Sequence, residues 1–521
     1  MVKHLSSIPS KYLVLALFAI LLVVRVIGAC SRTELHADEI FSVMLAQCNH
    51  SYVNPLPKDT VLTGEQLKQF LNCDHTLGED ISSLYVNNMD VPHASLYYMA
   101  LRVALVGASA FDVADVGLRG GLLNIFFFAV AFYAIWRLCL LLFGRFRYGF
   151  LISLAVLTAA FATPVSILNT LLVREYQMAE MFVCLTACSS AIIVSRWLGG
   201  KSASFKLWLA YSAAIAGALS TGYLNAVFIA LLSLALFVLT FVCRQKGEIQ
   251  YVILAPVCGL LFAALIYHGF FNFLLQPSVH TERAFSGFNG VLSIVFYNVF
   301  TFYGIGWVGL GVFAASLITV LCSKSRPVLV DAKIQWWLPL IAIITMVLVE
   351  YASLLRADRY IYPFYSVGML LVGVVLCGLS DNLKAMFSVF LSVFVLVTML
   401  VKPVRPAYGW NFISNKLKDG AVFYCMNPNE LPQIAPVLND TAKYHLVSSP
   451  ESLSRTYPPV MALTDSVDTE KTYAGTTCTL PIVARIQPPL GSLPKPLRLT
   501  GPLKIYSVPA DTIRPLAAPS P

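Results

Sequence analysis

The sequence predicts an all-α polytopic membrane protein of about eleven transmembrane helices, with interfacial helices in the first outer loop and a small extracytoplasmic C-terminal α/β or β domain. Three observations predict it. Of 521 residues, 58% are hydrophobic and 12% charged, where a soluble globular chain carries about 25% charged residues. Mean hydropathy is +0.73, so most of the surface must face lipid or other membrane helices, which argues against a soluble enzyme. Many of the basic residues behind the formal charge of +9 sit in short loops on one side of a membrane, which makes that charge a topology signal and not a nucleic-acid footprint.

Crossing roughly 30 Å of hydrocarbon takes about 20 apolar residues. Eleven such runs are present: 12–29, 119–142, 149–168, 177–195, 207–222, 224–243, 251–270, 304–322, 336–353, 361–379 and 385–401. Lys3 and Lys11 before the first run put the N-terminus in the cytosol. Ile27-Gly28-Ala29-Cys30 loosely resembles a lipoprotein cleavage site, but Arg25 inside the run and the many later spans favour an uncleaved helix. The long loop 30–118 holds one mostly apolar stretch, 95–108, which Arg102 interrupts and Asp90, Asp112 and Asp115 flank. It is too short to cross and reads as an interfacial helix on the outer face. With that reading Arg137, Arg145 and Arg147 fall in the cytosol, and so do the later basic loops with Arg196, Lys201, Lys206, Arg244, Lys246, Lys324, Arg326, Lys333 and Lys384.

An odd number of spans divides the chain into a membrane module, 1–401, and an extracytoplasmic segment, 402–521. The latter opens with Pro403, Pro406, Pro428 and Pro432, contains strand-like runs at 460–463 and 482–486, and ends in a Pro-rich stretch from Pro494. Cys48 with Cys73, and Cys425 with Cys478, are local disulfide candidates if those regions face an oxidising compartment. The cysteines in apolar runs read as small buried hydrophobes. Asn49-His50-Ser51 and Asn439-Asp440-Thr441 are glycosylation sequons. No internal repeat and no phosphate-cradling GxxxxGK[ST] loop is present, and no HxxxH, HExxH or CxxC pair supports a tightly bound metal. A loosely held divalent cation at Asp38 and Glu39 stays open.

Four charged clusters gather at the outer face. Asp38 and Glu39 lie in His36-Ala37-Asp38-Glu39-Ile40-Phe41-Ser42, just beyond the first span. The plainest account of them is a solvated helix start with Ile40, Phe41, Val43 and Met44 packing beneath. Asp90-Val91-Pro92-His93-Ala94-Ser95-Leu96-Tyr97-Tyr98 opens the interfacial helix, where a His is most simply a polar helix end. Arg174-Glu175-Tyr176 and Arg356-Ala357-Asp358-Arg359-Tyr360 stand at the outer mouths of the fourth and tenth spans. Arginines there oppose the positive-inside trend, and a bound anion explains them.

Taken together, these clusters resemble the polytopic glycosyltransferases that use polyprenyl-phosphate sugars (the GT-C fold), among them protein O-mannosyltransferases and the aminoarabinose transferases of lipid A. The resemblance rests on Asp38-Glu39-Ile40-Phe41-Ser42, His93-Ala94-Ser95-Leu96-Tyr97-Tyr98, Arg174-Glu175-Tyr176, and Arg359-Tyr360 with Pro363, in order across roughly 10–400. Ala94-Ser95 departs from the two prolines usual there, and the C-terminal segment carries no resemblance. What the resemblance implies is an inverting glycosyltransferase with an undecaprenyl- or dolichyl-phosphate sugar donor and a glycan, lipid or protein acceptor. The expected location is a bacterial inner membrane in preference to the endoplasmic reticulum.

The chemistry asks for the same residue types. A donor phosphodiester with about one negative charge leaves as a phosphate monoester with nearly two, so preorganised cations favour the transition state. The candidate donor-phosphate residues are His93, Arg174, Tyr176, Arg283, Arg359 and Tyr360. An acceptor hydroxyl needs a carboxylate base, which Asp38 or Glu39 supplies, and one displacement with one base implies inversion. Asp90, Tyr97 and His280 are accessory candidates. The loop 276–290, with His280, Glu282 and Arg283, could close over the donor or be an ordinary amphipathic connector. The competing function is a transporter or flippase of a lipid-linked or anionic substrate, whose charges would be expected mid-span. A scaffold would leave the outer arginines unexplained.

Overall fold

In hydrocarbon a backbone must satisfy its own N–H and C=O groups, and the apolar runs of this chain do so as helices. The computed structural model describes residues 10–47, 57–71, 76–87, 94–267, 288–322, 335–352, 358–401, 417–424, 431–447, 479–485 and 503–509. Among the described residues a helix lies within each of the eleven expected runs. Among the described residues eight helices are long and apolar enough to cross a membrane, or nine if a bent pair counts as one span. The remaining two, Phe205–Thr221 and Trp337–Ala352, have 17 and 16 residues. The protein is a polytopic helical membrane protein.

Two spans differ from their sequence outline. The expected span 149–168 is broken into Gly149–Phe161 and Pro164–Leu171, bent by 53°. Pro164 sits in the first turn of the second helix and Thr163 before it is extended (φ −104°, ψ 156°), because a proline ring excludes the helical conformation from the residue preceding it. The expected span 304–322 starts earlier, with a π-helical segment Ser293–Ile305 leading into Gly306–Cys322. The junction turns at Gly306, whose φ of 73° suits a residue without a Cβ. The stretch 95–108 forms the helix Ser95–Ala104. Its ten residues rise about 15 Å, half of what the hydrocarbon requires.

The chain divides into two compact units, Met1–Arg32 with Ile81–Val106 and Gly117–Pro406, and Thr33–Asp80 with Gly107–Val116 and Ala407–Pro521. In the first, the opening helix Ser10–Cys30 packs Phe18 against Phe128 and Phe132 of the helix Val113–Phe143, with Phe161 closing the cluster. Close approach of these two helices depends on Gly121, where an added Cβ would lie 2.7 Å from the Ala29 Cβ.

The second unit is built on a five-stranded mixed sheet in the order β1-β3-β2-β4-β5. Its strands are β1 (Thr60–Thr63), β2 (Ala421–Tyr424), β3 (Lys443–Val447), β4 (Thr479–Arg485) and β5 (Leu503–Pro509). β3, β2 and β4 run parallel, while β1 and β5 are antiparallel edges. The register sets Val61 opposite His445 and Val422 opposite both His445 and Ile482. β1 comes from the first outer loop and leads into the helix Gly64–Leu71 through a capping box: Thr63 Oγ1 accepts the Gln66 N–H at 3.1 Å, and Gln66 Oε1 accepts the Thr63 N–H at 2.9 Å. Phe423 stacks on Tyr444 at 5.5 Å, and the Tyr444 hydroxyl donates to the Leu417 carbonyl at 2.9 Å. The strand-like run 482–486 lies largely in β4. The run 460–463 and the cysteines Cys48, Cys73, Cys425 and Cys478 lie outside the described residues.

Candidate functional site

The mouth expected at the outer end of the helix Tyr176–Leu198 is a tight connection. The helix Pro164–Leu171 stops, and after Leu172, Val173, Arg174 and Glu175 the helix Tyr176–Leu198 begins. The last carbonyls of a helix lack intrahelical donors, and here side chains supply them. Asn124 Nδ2 donates to the Leu172 carbonyl at 2.6 Å, and the Arg32 guanidinium donates to the Leu171 carbonyl. Gly120 lets the helix Val113–Phe143 come so close that an added Cβ would lie 2.6 Å from Val173. The backbone carrying Arg174 is thus held from several sides.

At the tenth span a 3₁₀ turn, Asp358–Ile361, feeds the helix Tyr362–Gly368, with Pro363 in its first turn. The fold brings this turn against the first mouth. Tyr176 meets Tyr360 edge-on, ring centroids 6.2 Å apart. The Arg174 guanidinium lies 5.9 Å from the Tyr176 ring and that of Arg359 lies 5.6 Å from the Tyr360 ring, in cation–π range. Arg174 Nε stands 3.4 Å from Glu175 Oε2, and the Tyr98 hydroxyl donates to the same oxygen at 2.9 Å. The Tyr362 hydroxyl donates to Asp358 Oδ2 at 3.1 Å. Arg174, Glu175 and Tyr176 are all buried.

Each arginine therefore has a neighbouring acid, Glu175 for Arg174 and Asp358 for Arg359, and an adjoining tyrosine ring. Burial pushes the Tyr98 hydroxyl well above its ordinary range, and Glu175 adds to this against the opposing pull of Arg174. Tyr223, in the connection between two spans, is pushed up to about 12 by burial, with Tyr360 and Glu175 contributing. Both stay protonated near neutral pH.

Of the accessory candidates, Tyr97 is fully buried and packs edge-on against Tyr98 at 5.5 Å; it is Tyr98 that reaches Glu175. His93, Asp90, His280, Glu282 and Arg283 lie outside the described residues.

Asp38 and Glu39 belong to the second unit, in the first turn of the helix Ala37–Gln47. Ile40, Val43 and Met44 are buried beneath them, as a helix start packing on a core requires. The two acids differ sharply. Glu39 is fully buried and its Oε2 accepts the His36 N–H at 2.6 Å, the third helical residue reaching back to cap its own helix. Asp38 is partly exposed; its N–H donates to His36 Nδ1 at 3.1 Å, and its carboxylate stands 3.5 Å from the same nitrogen. A neutral His36 can accept that N–H, whereas protonation at Nδ1 would exchange the cap for an ion pair with Asp38. Among the described residues no group of three His, Cys, Asp or Glu side chains is placed to hold a metal ion.

Two solved structures are similar in fold. ArnT from Cupriavidus metallidurans in the apo state is 15% identical, with a TM-score of 0.48, over 90% of this chain and 92% of that one. The same protein bound to undecaprenyl phosphate is 14% identical, with a TM-score of 0.47, over 90% and 93%. No family model and no curated protein matches the chain.

Sequence reading missed a buried polar network beside the mouth. Arg25, noticed only as an interruption of the first span, is fully buried with its ring-facing side 3.9 Å from the Phe128 centroid. Its guanidinium donates to Thr170 Oγ1 at 3.0 Å, Ser166 Oγ at 2.7 Å and the Phe161 carbonyl at 2.9 Å. Glu180, one turn beyond Tyr176, is buried too and accepts from Asn169, Gln177 and Ser366. The available signal was an acid inside an apolar helix, which in a membrane asks for a partner.

Proposed function

We propose that the protein is an inverting glycosyltransferase that moves a sugar from a polyprenyl-phosphate donor to an acceptor hydroxyl on the extracytoplasmic side. The observation that carries this reading is the convergence of Arg174-x-Tyr176 and Arg359-Tyr360, two motifs far apart in sequence, on one tyrosine-rich mouth. In this reading Arg174 and Arg359 meet the growing charge on the departing phosphate, and Tyr98 and Tyr223 add neutral donors. Asp38 takes the proton of the acceptor hydroxyl as it attacks the anomeric carbon. His93 and Arg283 complete the donor-phosphate set, the N-terminus is cytosolic, and residues 402–521 are extracytoplasmic.

A transporter of a lipid-linked anion is the second reading, favoured by the charges of Arg25 and Glu180 buried within the helices. Liposomes holding purified protein, a polyprenyl-phosphate sugar and an acceptor separate the two. An enzyme releases polyprenyl phosphate in step with glycosylated acceptor. Losing a preorganised donor to a developing anion costs about 2.7–4 kcal/mol, or ~10²- to 10³-fold in rate, so Arg174→Ala and Arg359→Ala should each lose transfer to that extent. Lysine should restore only part, since an ammonium lacks the planar two-pronged contact. Lipid movement across the bilayer without sugar transfer, abolished by the same substitutions, would overturn the enzyme reading.

A further inference from the structure

Glu180 occupies the point where the two arginine-bearing elements are joined. Its Oε2 accepts Asn169 Nδ2 and Gln177 Nε2, each at 2.8 Å, and its Oε1 accepts the Ser366 hydroxyl. Asn169 lies on the helix Pro164–Leu171 that ends at the first mouth, and Glu180 itself lies one turn past Tyr176. Ser366 lies on the helix Tyr362–Gly368, directly after Arg359 and Tyr360. One carboxylate thus ties together the three helices whose ends present Arg174 and Arg359.

Its charge is answered by Arg25 through a directional chain. Arg25 Nε–H donates to Thr170 Oγ1 at 3.0 Å, the Thr170 hydroxyl donates to Gln177 Oε1 at 2.7 Å, and Gln177 Nε2 donates to Glu180. Such a chain polarises each bond in turn. Buried ion pairs contribute little net stability against an apolar replacement, and their best-attested use is to fix one arrangement over its neighbours.

We infer that Glu180 is a positioning residue of the lipid-phosphate site: it sets the spacing of Arg174 and Arg359 through Ser366 on one side and Asn169 and Gln177 on the other, with Arg25 as its counter-charge. This rests on the proposed function and adds to it a group that never touches substrate. Its consequence is specific to the charged headgroup. Misplacing Arg359 by a fraction of an ångström weakens the grip on a phosphate but leaves the polyprenyl tail's contacts as they were.

The test compares binding of undecaprenyl phosphate and of undecaprenol, the uncharged alcohol, to purified full-length protein in nanodiscs. Variants are Glu180→Gln, which can keep one oxygen for Asn169 and Gln177 but loses the charge that answers Arg25 and the second oxygen to which Ser366 donates, and Ser366→Ala, which removes the link to the Arg359 element and little else. Both should weaken undecaprenyl phosphate binding about ten- to hundredfold, the range that losing outer partners of ligating groups produces at metal sites, with undecaprenol binding unchanged. Equal loss for both lipids, or no loss for either, overturns the positioning role. If Glu180→Gln does not insert, Ser366→Ala decides alone. Arg174→Ala and Arg359→Ala separate the two levels of the argument. If these bind undecaprenyl phosphate as tightly as the unsubstituted protein, the proposed function falls and the positioning role with it; if they are weakened while Ser366→Ala is silent, only the positioning role falls.

Discussion

The Tyr98 hydroxyl and the Arg174 guanidinium approach the same oxygen of Glu175, at 2.9 Å and 3.4 Å, so that the helix Ser95–Ala104 and the start of the helix Tyr176–Leu198 share one carboxylate. Glu175 is thereby the hinge of charge at the mouth: it fixes the arginine while a tyrosine fixes it.

Tyr98→Phe removes that donor from a buried carboxylate. A hydrogen bond to a charged group is worth about 1.5–3 kcal/mol, and the melting midpoint of the purified protein should fall accordingly. Tyr97→Phe, whose ring contact with Tyr98 survives the change, should shift it much less. Equal shifts would contradict the pairing.

The two acids of the second unit should separate by function. Asp38→Asn leaves the backbone bonds of residue 38 to His36 and Ser42 untouched, so the protein should insert, bind the lipid donor and fail to transfer sugar. Glu39→Gln keeps an oxygen for the His36 N–H and should retain most activity, while Glu39→Ala should lose stability. Full turnover by Asp38→Asn would remove it as the base.

Sidedness is open to cysteine labelling in a background with the twelve native cysteines replaced. A membrane-impermeant maleimide added outside should reach Asp112→Cys and Asp440→Cys, and should reach Ser202→Cys only after the membrane is permeabilised. All three positions are exposed. Labelling of residue 112 from the cytosol alone would invert the topology from the second span onward.

Gly121→Val tests the helix crossing below the mouth. Since even a Cβ would sit 2.7 Å from Ala29, the larger side chain should cost about 1–3 kcal/mol, the usual range for overpacking. The readout is thermal melting, together with the yield of monodisperse protein.

The apolar runs made the helical segments legible, because twenty residues of hydrocarbon-compatible sequence have few other conformations open to them. Charge made the mouths legible: Arg174-x-Tyr176 and Arg359-Tyr360 stood out against the positive-inside trend, and the fold brings them together. The break at Thr163-Pro164 was written in the chain, as a β-compatible residue before a proline, but the hydropathy of the run hides it. Tyr98, Glu180 and the pairing of β1 with β3 were not legible. Each depends on a partner distant in sequence, Glu175, Ser366 or Lys443–Val447, and periodicity carries no information about which distant segment arrives opposite.

The antiparallel edge β1 is contributed by residues 60–63, some 380 positions before its neighbour β3. The C-terminal segment is consequently not a detachable cargo. Cut at residue 401 and produced alone, it would present β3 with an open row of backbone donors and acceptors, a template for aggregation, and the truncated membrane portion would carry β1 with nothing to pair. An engineer seeking to swap the sheet between related chains would have to move the segment carrying residues 60–63 along with it, as a discontinuous graft.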